Sequence, residues 1–242
     1  MARVHTNKRI LALSDVHLPF SNERALKLAL RFKEDFKPDI TLALGDWLDV
    51  SAAASFARDV EDFDTLNEIE ACNELLDRFK PDVFFEGNHE YRLRKAGNVH
   101  QEIRRLLDLQ YWLDLKKRRC KWVPYSHRSL YQVGELTFIH GFASGVSASR
   151  KEAQRFGHVV HGHTHRLGIA SEPTAYGPSF GYNIGCLCDI KSLDYIQSKS
   201  PPGWTNGFGY GVVRKSGKHQ FHVVAIGENQ KQIRIEGKTY NL

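Results

Sequence analysis

The sequence predicts an α/β fold, with a parallel sheet first and an antiparallel sheet later in the chain. Short apolar runs rich in β-branched and aromatic residues recur between residues 10 and 160, and such runs are typical of strands covered on both faces. Helical patterns separate the first three runs. After Gly168 the chain becomes rich in Gly, Pro, Ser and Tyr, and strand-like stretches alternate with glycine turns. These patterns indicate a single domain over residues 1–242.

The parallel part is predicted from five apolar runs and the helices between them. The runs occupy residues 10–13, 40–44, 83–85, 136–139 and 159–160. Between the first two, residues 22–36 carry apolar side chains at helical spacing, with Ser21 positioned as the N-cap and Pro38 as the stop signal. Residues 64–79 repeat this pattern. Two strand–helix units in succession predict parallel strands joined by right-handed crossovers.

The antiparallel part is predicted from three stretches near the end of the chain. They occupy residues 210–214, 221–226 and 232–236 and are separated by glycine turns. Because short turns connect antiparallel neighbours, we expect these strands to form a second sheet of their own.

The composition excludes several classes of protein. Hydrophobic residues make up 41% and charged residues 26% of the 242 residues, which fits a globular chain and neither a disordered nor a collagen-like one. No apolar run approaches the roughly 20 residues that span a bilayer. The 4 cysteines are too few for a disulfide scaffold. We therefore expect a cytoplasmic protein with reduced cysteines and no membrane partner.

The net charge of +6 is unevenly distributed along the chain. Residues 1–90 carry 11 basic and 18 acidic side chains, whereas residues 91–122 carry 10 basic and 3 acidic ones. We interpret residues 91–122 as a basic helical insert, in which Tyr111, Trp112 and Trp122 are interleaved to stack on nucleic-acid bases. The alternative is that these charges are only the solvated face of an amphipathic helix.

Each of the five apolar runs is followed directly by side chains that commonly bind metals. In chain order these are Asp15 and His17, Asp46 and Asp49, Asn88 and His89, His140, and His163 and His165. Singly, such residues are more often helix caps, turn residues or structural histidines. Because the carboxyl ends of strands in an open α/β sheet share one edge, we expect the set to converge there.

The residue types indicate a catalytic metal centre. Carboxylate, imidazole and amide groups without thiolates suit Mn²⁺, Fe²⁺, Zn²⁺ or Ni²⁺, and we favour Mn²⁺. The set is too large for one tetrahedral ion and suits two divalent ions that share a bridging carboxylate. Such a pair attracts phosphate and lowers the pKa of a bound water.

The ordered motifs D-x-H, G-D-x-x-D, G-N-H-E, H-G and G-H-T-H, which lie within residues 9–166, resemble those of the calcineurin-like metallophosphoesterase superfamily. The resemblance implies that Asp15, His17 and His165 hold one ion. It implies that Asn88, His140 and His163 hold the second, with Asp46 bridging. His89 is similar to the family's general acid, and Asp49 to the carboxylate that orients it. The implied fold is a four-layered αββα sandwich of two mixed β-sheets with flanking helices.

The implied function is phosphoester hydrolysis, by in-line attack of a metal-bridging hydroxide with His89 as the acid. Phosphoprotein phosphatases of this superfamily carry Arg-Gly after the second Asp and Gly-Gly after the later His, whereas this chain has Val50-Ser51 and Gly141-Phe142. These departures favour a phosphodiesterase or nuclease-type member acting on nucleic acid or nucleotides. The alternatives are a phosphomonoesterase of nucleotides, nucleic-acid ends or phosphoproteins, and a non-catalytic scaffold.

Two arginines at the start of the basic stretch are candidates for binding the phosphate. Arg92 and Arg94 follow His89 closely, although salt bridges to the acidic residues 59–77 explain them almost as well. Trp204, Phe208 and Tyr210 either form a base-stacking lip or pack in the core, and core packing is favoured.

Overall fold

The computed structural model describes residues 5–50, 64–99, 102, 104–192 and 203–242. The helices are α1 (Glu23–Phe36), α2 (Thr65–Phe79), α3 (Asn88–Val99), α4 (Leu109–Trp112) and α5 (Ala148–Phe156). The strands are β1 (Lys8–Leu13), β2 (Ile40–Ala43), β3 (Val83–Phe85), β4 (Lys121–Val123), β5 (Tyr131–Val133), β6 (Leu136–Phe138), β7 (Val159–His161), β8 (Leu167–Glu172), β9 (Ser179–Ile184), β10 (Asn206–Val213), β11 (His219–Ile226), β12 (Gln232–Ile235) and β13 (Lys238–Asn241).

The first sheet has six strands in the order β11-β10-β1-β2-β3-β4. The four strands β1 to β4 are parallel, which confirms the prediction from the repeated strand–helix units. β10 pairs antiparallel with β1, with Lys8 opposite Val213, and β11 pairs antiparallel with β10.

The prediction that the C-terminal strands form a sheet of their own is wrong for β10 and β11. They extend the first sheet beyond β1, whose other edge is already paired with β2. An apolar pattern identifies a strand but does not show which strand it pairs with. Here the free edge of β1 pairs with an antiparallel strand from far along the chain. Among the described strands, only β12 and β13 form a separate antiparallel pair.

The second sheet has the order β5-β6-β7-β9-β8. Its central strands β6, β7 and β9 are parallel, and its two outer strands are antiparallel to their neighbours. β6 and β7 arise from the last two apolar runs of the sequence. Both sheets are therefore mixed, as the family resemblance implied.

The two sheets pack face to face between helices. Side chains from one face of each sheet, such as Leu42 and Phe138, form a shared apolar layer. α1 and α2 cover the other face of the first sheet, where Phe32 and Phe79 are buried. α5 covers the other face of the second sheet through Ala153. The fold is thus the four-layered αββα sandwich.

The helix boundaries follow from local capping. The side chain of Asn22, and not that of Ser21 as predicted, accepts a hydrogen bond from the Ala25 N–H at the start of α1. The Ser21 hydroxyl instead donates to Glu23. Asp64 caps α2 in the same way as Asn22 caps α1. Within the described ranges, no helix is long and apolar enough to cross a membrane.

The basic stretch 91–122 contains most of α3, the four-residue α4, turns and the start of β4. Two of its aromatic residues pack locally, since Trp122 stacks on Phe84 and the Trp112 indole donates to the Leu106 carbonyl. Leu109 and Leu113 are buried, whereas Leu106 and Tyr111 are exposed.

Candidate metal centre

The structure brings all seven predicted ligands together where the two sheets meet. The carboxyl ends of β1, β2 and β3 carry four of them, and β6 and β7 of the second sheet carry three. Five of the seven have a positive φ, between 50° and 69°: Asp15, His17, Asp46, His163 and His165. Left-handed backbone is unfavourable for residues with a Cβ and clusters at functional sites. The sharp turns after the strands therefore direct these side chains into one site.

The first group of ligands consists of Asp15, His17 and His165. The Nε2 atoms of His17 and His165 are 3.0 Å apart, and Asp15 Oδ1 is 3.2 Å from His165 Nε2. All three residues are buried. Their ligand atoms are close enough together to hold one metal ion.

The second group consists of Asn88, His140 and His163, with Asp46 beside them. Asn88 Oδ1 is 3.0 Å from His140 Nε2 and 2.6 Å from His163 Nδ1. Asp46 Oδ2 is 3.2 Å from His140 Nε2. Asn88 and His163 are only partly buried, so this side of the site is the more open one.

Asp46 lies between the two groups. Its Oδ2 atom is 4.0 Å from His17 Nε2 in the first group, as well as close to His140 in the second. The main chain leaves little room around it, because a Cβ added at Gly87 would lie 2.1 Å from Asp46 Oδ1. Glycine at position 87 thus allows the loop after β3 to approach the Asp46 carboxylate.

The donor set fits divalent cations. His140 Nδ1 is 2.7 Å from the Leu44 carbonyl, which fixes that nitrogen as the donor and leaves Nε2 as an acceptor in the neutral ring. Nε2 nevertheless faces two further acceptors, Asn88 Oδ1 and Asp46 Oδ2. These three acceptor atoms converge without a hydrogen-bond donor, so a proton or a cation must lie among them. Oxygen and imidazole groups are the ligands that Mn²⁺, Fe²⁺ and Zn²⁺ prefer.

The pKa values of the four ligand histidines divide them into two pairs. Burial opposes protonation of His140, but Asp46 outweighs it and raises the pKa to about 10. Burial likewise opposes protonation of His165, and Asp15 raises its pKa to about 10. Burial and a neighbouring histidine lower the pKa of His17 and of His163 to about 4. Each group therefore combines a neutral imidazole with one that holds a positive charge near a carboxylate, where a metal ion can replace the proton.

His89, Asp49 and Arg92 lie beside the ligands. The His89 Nδ1 atom is 2.6 Å from the Asp49 carbonyl, and its Nε2 atom is 3.9 Å from Asp46 Oδ2. The Asp49 carboxylate is 3.4 Å from His89 but only 2.9 Å from His17 Nδ1. Arg92 is held at the same place, with Nη2 3.2 Å from His89 Nε2 and Nη1 donating to the Asp49 carbonyl. Asp49 thus contacts both a predicted ligand and the predicted acid.

Arg94 is directed away from this group. Its guanidinium donates to both oxygens of Glu86, at 2.7 to 3.0 Å, and to the Tyr125 carbonyl. Glu86 is buried, so this ion pair occupies the arginine. The sequence also suggested salt bridges from Arg94 to the acidic residues 59–77, and part of that stretch lies outside the described residues, which omit 51–63.

Two buried glutamates that sequence reasoning missed tie the ligand-bearing loops. Glu90 accepts hydrogen bonds from the N–H groups of residues 46, 47, 48 and 87, at 2.7 to 3.1 Å. Burial and the Asp46 carboxylate raise the pKa of Glu90 to about 7. Glu152 accepts from the N–H groups of Phe142 and Ala143, both at 2.6 Å. In the sequence Glu90 has the position of an ordinary acidic residue in a first helical turn, and its place in the G-N-H-E motif was the only available signal.

The core packing favoured for the remaining aromatic candidates is confirmed for Phe208 and Tyr210 only. Phe208 and Tyr210 are buried in the core against α1. Trp204 instead packs edge-on against the ligand His165, with ring centroids 4.1 Å apart.

These features are those of a hydrolase with a metal centre, in which two groups of oxygen and imidazole ligands adjoin. The family model for calcineurin-like phosphoesterases matches residues 8–150. The chain is 26% identical over 240 residues to the Gene 54 protein of Mycobacterium phage D29, covering 84% of this chain and 88% of the phage protein.

Solved structures are similar over most of the chain. An archaeal phosphodiesterase has a TM-score of 0.47 and 13% identity, with 89% of this chain and 99% of that chain covered. Vacuolar protein sorting 29 of Cryptosporidium parvum has a TM-score of 0.45 and 12% identity, with 92% and 100% covered.

The chain belongs to the calcineurin-like phosphoesterase family and is a metal-dependent phosphoester hydrolase.

Proposed function

We propose that this protein is a phosphodiesterase that uses two divalent ions, preferably Mn²⁺, to cleave nucleic acid or nucleotides. The observation that carries the proposal is the position of Asp46, whose Oδ2 atom faces His140 in one ligand group and His17 in the other. One carboxylate between two ligand groups suits a pair of ions better than one ion.

In this proposal the first ion is held by Asp15, His17 and His165, and the second by Asn88, His140 and His163, with Asp46 shared. When bound, the ions supply Lewis-acid polarisation of the phosphoryl oxygens and a water of lowered pKa. The open side near Asn88 and His163 admits the substrate.

His89 supplies the proton for the leaving oxygen. Burial opposes its protonation, but Asp46 and a hydrogen bond with Asp49 together raise its pKa. In the protonated ring both nitrogens carry a proton, and because the Asp49 carbonyl holds Nδ1, Nε2 is the atom that gives its proton to the leaving oxygen. Arg92, whose guanidinium lies beside that atom, binds a non-bridging phosphate oxygen during the reaction.

The test is hydrolysis by metal-stripped protein with and without added Mn²⁺. The substrates are an oligonucleotide with a labelled 5′-phosphate, and two diesters that differ in the acidity of the leaving group. We expect a Mn²⁺-dependent ladder from the oligonucleotide. Release of labelled phosphate without shortening would replace the diesterase assignment with a phosphomonoesterase.

His89→Ala separates the acid from the metal ligands. We expect it to retain metal and to lose roughly 10²- to 10⁴-fold in rate with a poor leaving group, but far less with p-nitrophenolate, which departs without a proton. An equal loss with both leaving groups would contradict the acid role.

A further inference from the structure

Four aromatic rings form a chain that begins beside the metal centre. These rings, called here the stacking strip, are Tyr125, Phe142, His127 and Tyr91. The Tyr125 ring is 5.8 Å from the ring of the ligand His140, and the Phe142 ring is 4.9 Å from that of Tyr125. The His127 ring follows at 4.0 Å from Phe142. The strip thus connects a predicted ligand with the exposed surface, because His127 is exposed.

The strip lies at the edge of the buried core, where Phe142 packs against the small cluster of Ile139, Ala153 and Val159. Its other three rings are half-buried, whereas core rings such as Phe138 are fully buried. Tyr91 lies beside Tyr125, with ring centroids 5.8 Å apart, at the first turn of α3. Partly exposed rings next to a phosphoester-cleaving site provide flat apolar surfaces at a place where the substrate must pass.

Buried carboxylates hold the two loops that carry the strip. Glu86 accepts from the Tyr125 N–H at 2.7 Å, and Glu152 accepts from the Phe142 N–H. The Tyr125 hydroxyl donates to the Gly141 carbonyl at 3.1 Å, which joins the two loops. The rings are therefore fixed before any substrate binds, which reduces the entropy lost on binding.

Cationic side chains contact two rings of the strip, and one of these cations, Arg94, is ion-paired with Glu86. The Arg94 guanidinium lies 4.6 Å from the centre of the Tyr91 ring, and Arg155 contacts His127 at 3.2 Å. Arg155 and Arg128 are exposed. Arg92 contacts His89 beside the metal centre. Rings with cations beside them suit a strand that alternates bases with phosphates.

We propose that the stacking strip binds the bases of single-stranded nucleic acid, whose phosphodiester then lies at the metal centre. This rests on the proposed function and names its substrate class. Stacking requires bases with free faces, which a single strand offers and a duplex does not. The strip is not the surface expected from the sequence, because its rings lie mainly on loops beyond residues 91–122.

The test measures binding apart from catalysis, with metal-stripped protein and fluorescent oligonucleotides followed by anisotropy. The probes are an oligothymidylate, the same backbone without bases, and a duplex. We expect the oligothymidylate to bind at least about tenfold more tightly than the abasic strand, since stacking on one ring contributes about five- to a hundredfold. Equal binding of the two strands, or tighter binding of the duplex, would overturn the proposal.

Phe142 is the best residue to substitute, because none of the ring partners described for it is a predicted metal ligand. We expect Phe142→Ala to reduce or abolish the preference for the strand with bases, and Phe142→Trp to retain it. Phe142→Leu keeps an apolar contact with Phe156 and serves if the alanine variant does not fold.

Tyr176→Ala removes an exposed aromatic ring from the turn after β8 and is the matched control. An unchanged preference in folded Phe142→Ala or Phe142→Leu would overturn the proposal.

Failure of the stacking-strip proposal can be distinguished from failure of the proposed function. If the parent protein cleaves neither a nucleotide diester nor bis(p-nitrophenyl) phosphate, the catalytic proposal fails, while the anisotropy still decides whether the strip binds bases. If both esters are cleaved and the base preference is missing, only the strip proposal fails.

Discussion

The two sheets contribute different chemistry to the same site. The loops of the first sheet carry all the predicted oxygen ligands, namely Asp15, Asp46 and Asn88, with one histidine. The loops of the second sheet supply only imidazoles, His140, His163 and His165. The carboxylates that raise the pKa of His140 and His165 therefore come from the opposite sheet. The site depends on how accurately the two sheets are held together.

The loops also differ in how they are fixed. Glu90 ties the first-sheet loops through both of its oxygens, which accept four N–H groups. Glu152 ties the loop after β6 through Oε1 alone, and its Oε2 accepts no hydrogen bond from the described residues. The loops that supply the carboxylates therefore have more hydrogen bonds to a buried glutamate than the loop after β6 has.

The largest effect is expected from Gly87→Ala. The added Cβ would lie 2.1 Å from Asp46 Oδ1, so the shared carboxylate must move. A shift of about 1 Å at such a group lowers the rate roughly a hundredfold, and crowding lowers the free energy of unfolding by about 1–3 kcal/mol. The measurements are kcat/KM on a small diester and denaturant unfolding.

Gly168→Ala is the matched control for Gly87→Ala, because nothing lies within 4 Å of a Cβ added there. A rate loss of similar size in both variants would show that the space around Asp46 is not the cause.

For Glu90→Gln we expect a smaller effect on the rate than for Gly87→Ala, and a clear effect on stability. The amide has one acceptor oxygen, so two of the four N–H groups lose their acceptor and face an NH₂ group. Each buried donor left unsatisfied destabilises the fold by about 1–3 kcal/mol, which predicts a decrease of about 3 kcal/mol in the free energy of unfolding. Affinity for Mn²⁺ should fall with it, as titration would show. A variant as stable as the parent would contradict the four-bond geometry.

The same substitution in the other glutamate, Glu152→Gln, should have the smallest effect. Its Oε1 atom can keep both hydrogen bonds, while the NH₂ group takes the place of Oε2. We expect a decrease of about 1 kcal/mol or less in the free energy of unfolding. If Glu152→Gln destabilised the protein more than Glu90→Gln, the contrast between the two regions would be wrong.

The convergence of the predicted ligands could be expected from the sequence, because parallel strands bring their carboxyl ends to one edge of a sheet. A strand pattern followed by Asp, Asn or His therefore indicates a site before any interatomic distance is known. Asp15 and His165 are 150 positions apart and lie 3.2 Å from each other. The helices α1 and α2 were predicted nearly to their ends, because apolar periodicity and capping are local properties, whereas α5 was not predicted.

Other features depend on tertiary contacts and were not predictable. β10 joins the first sheet because β1 has an open edge there, which no local pattern records. The Glu90 carboxylate could be interpreted as an ordinary helix residue until its partners on the loop after β2 were known. Ser21 and Asn22 are equally good caps by residue type, and only the backbone geometry selects Asn22.

Metal content measured by mass spectrometry tests the central claim, that Asp46 joins two separate ligand groups, most directly. The parent protein loaded with Mn²⁺ should hold about two ions per chain, and His165→Ala and His140→Ala should each hold about one. Asp46→Ala should weaken both ions. A parent with a single ion, or an Asp46→Ala variant that keeps two ions at unchanged affinity, would contradict the shared carboxylate.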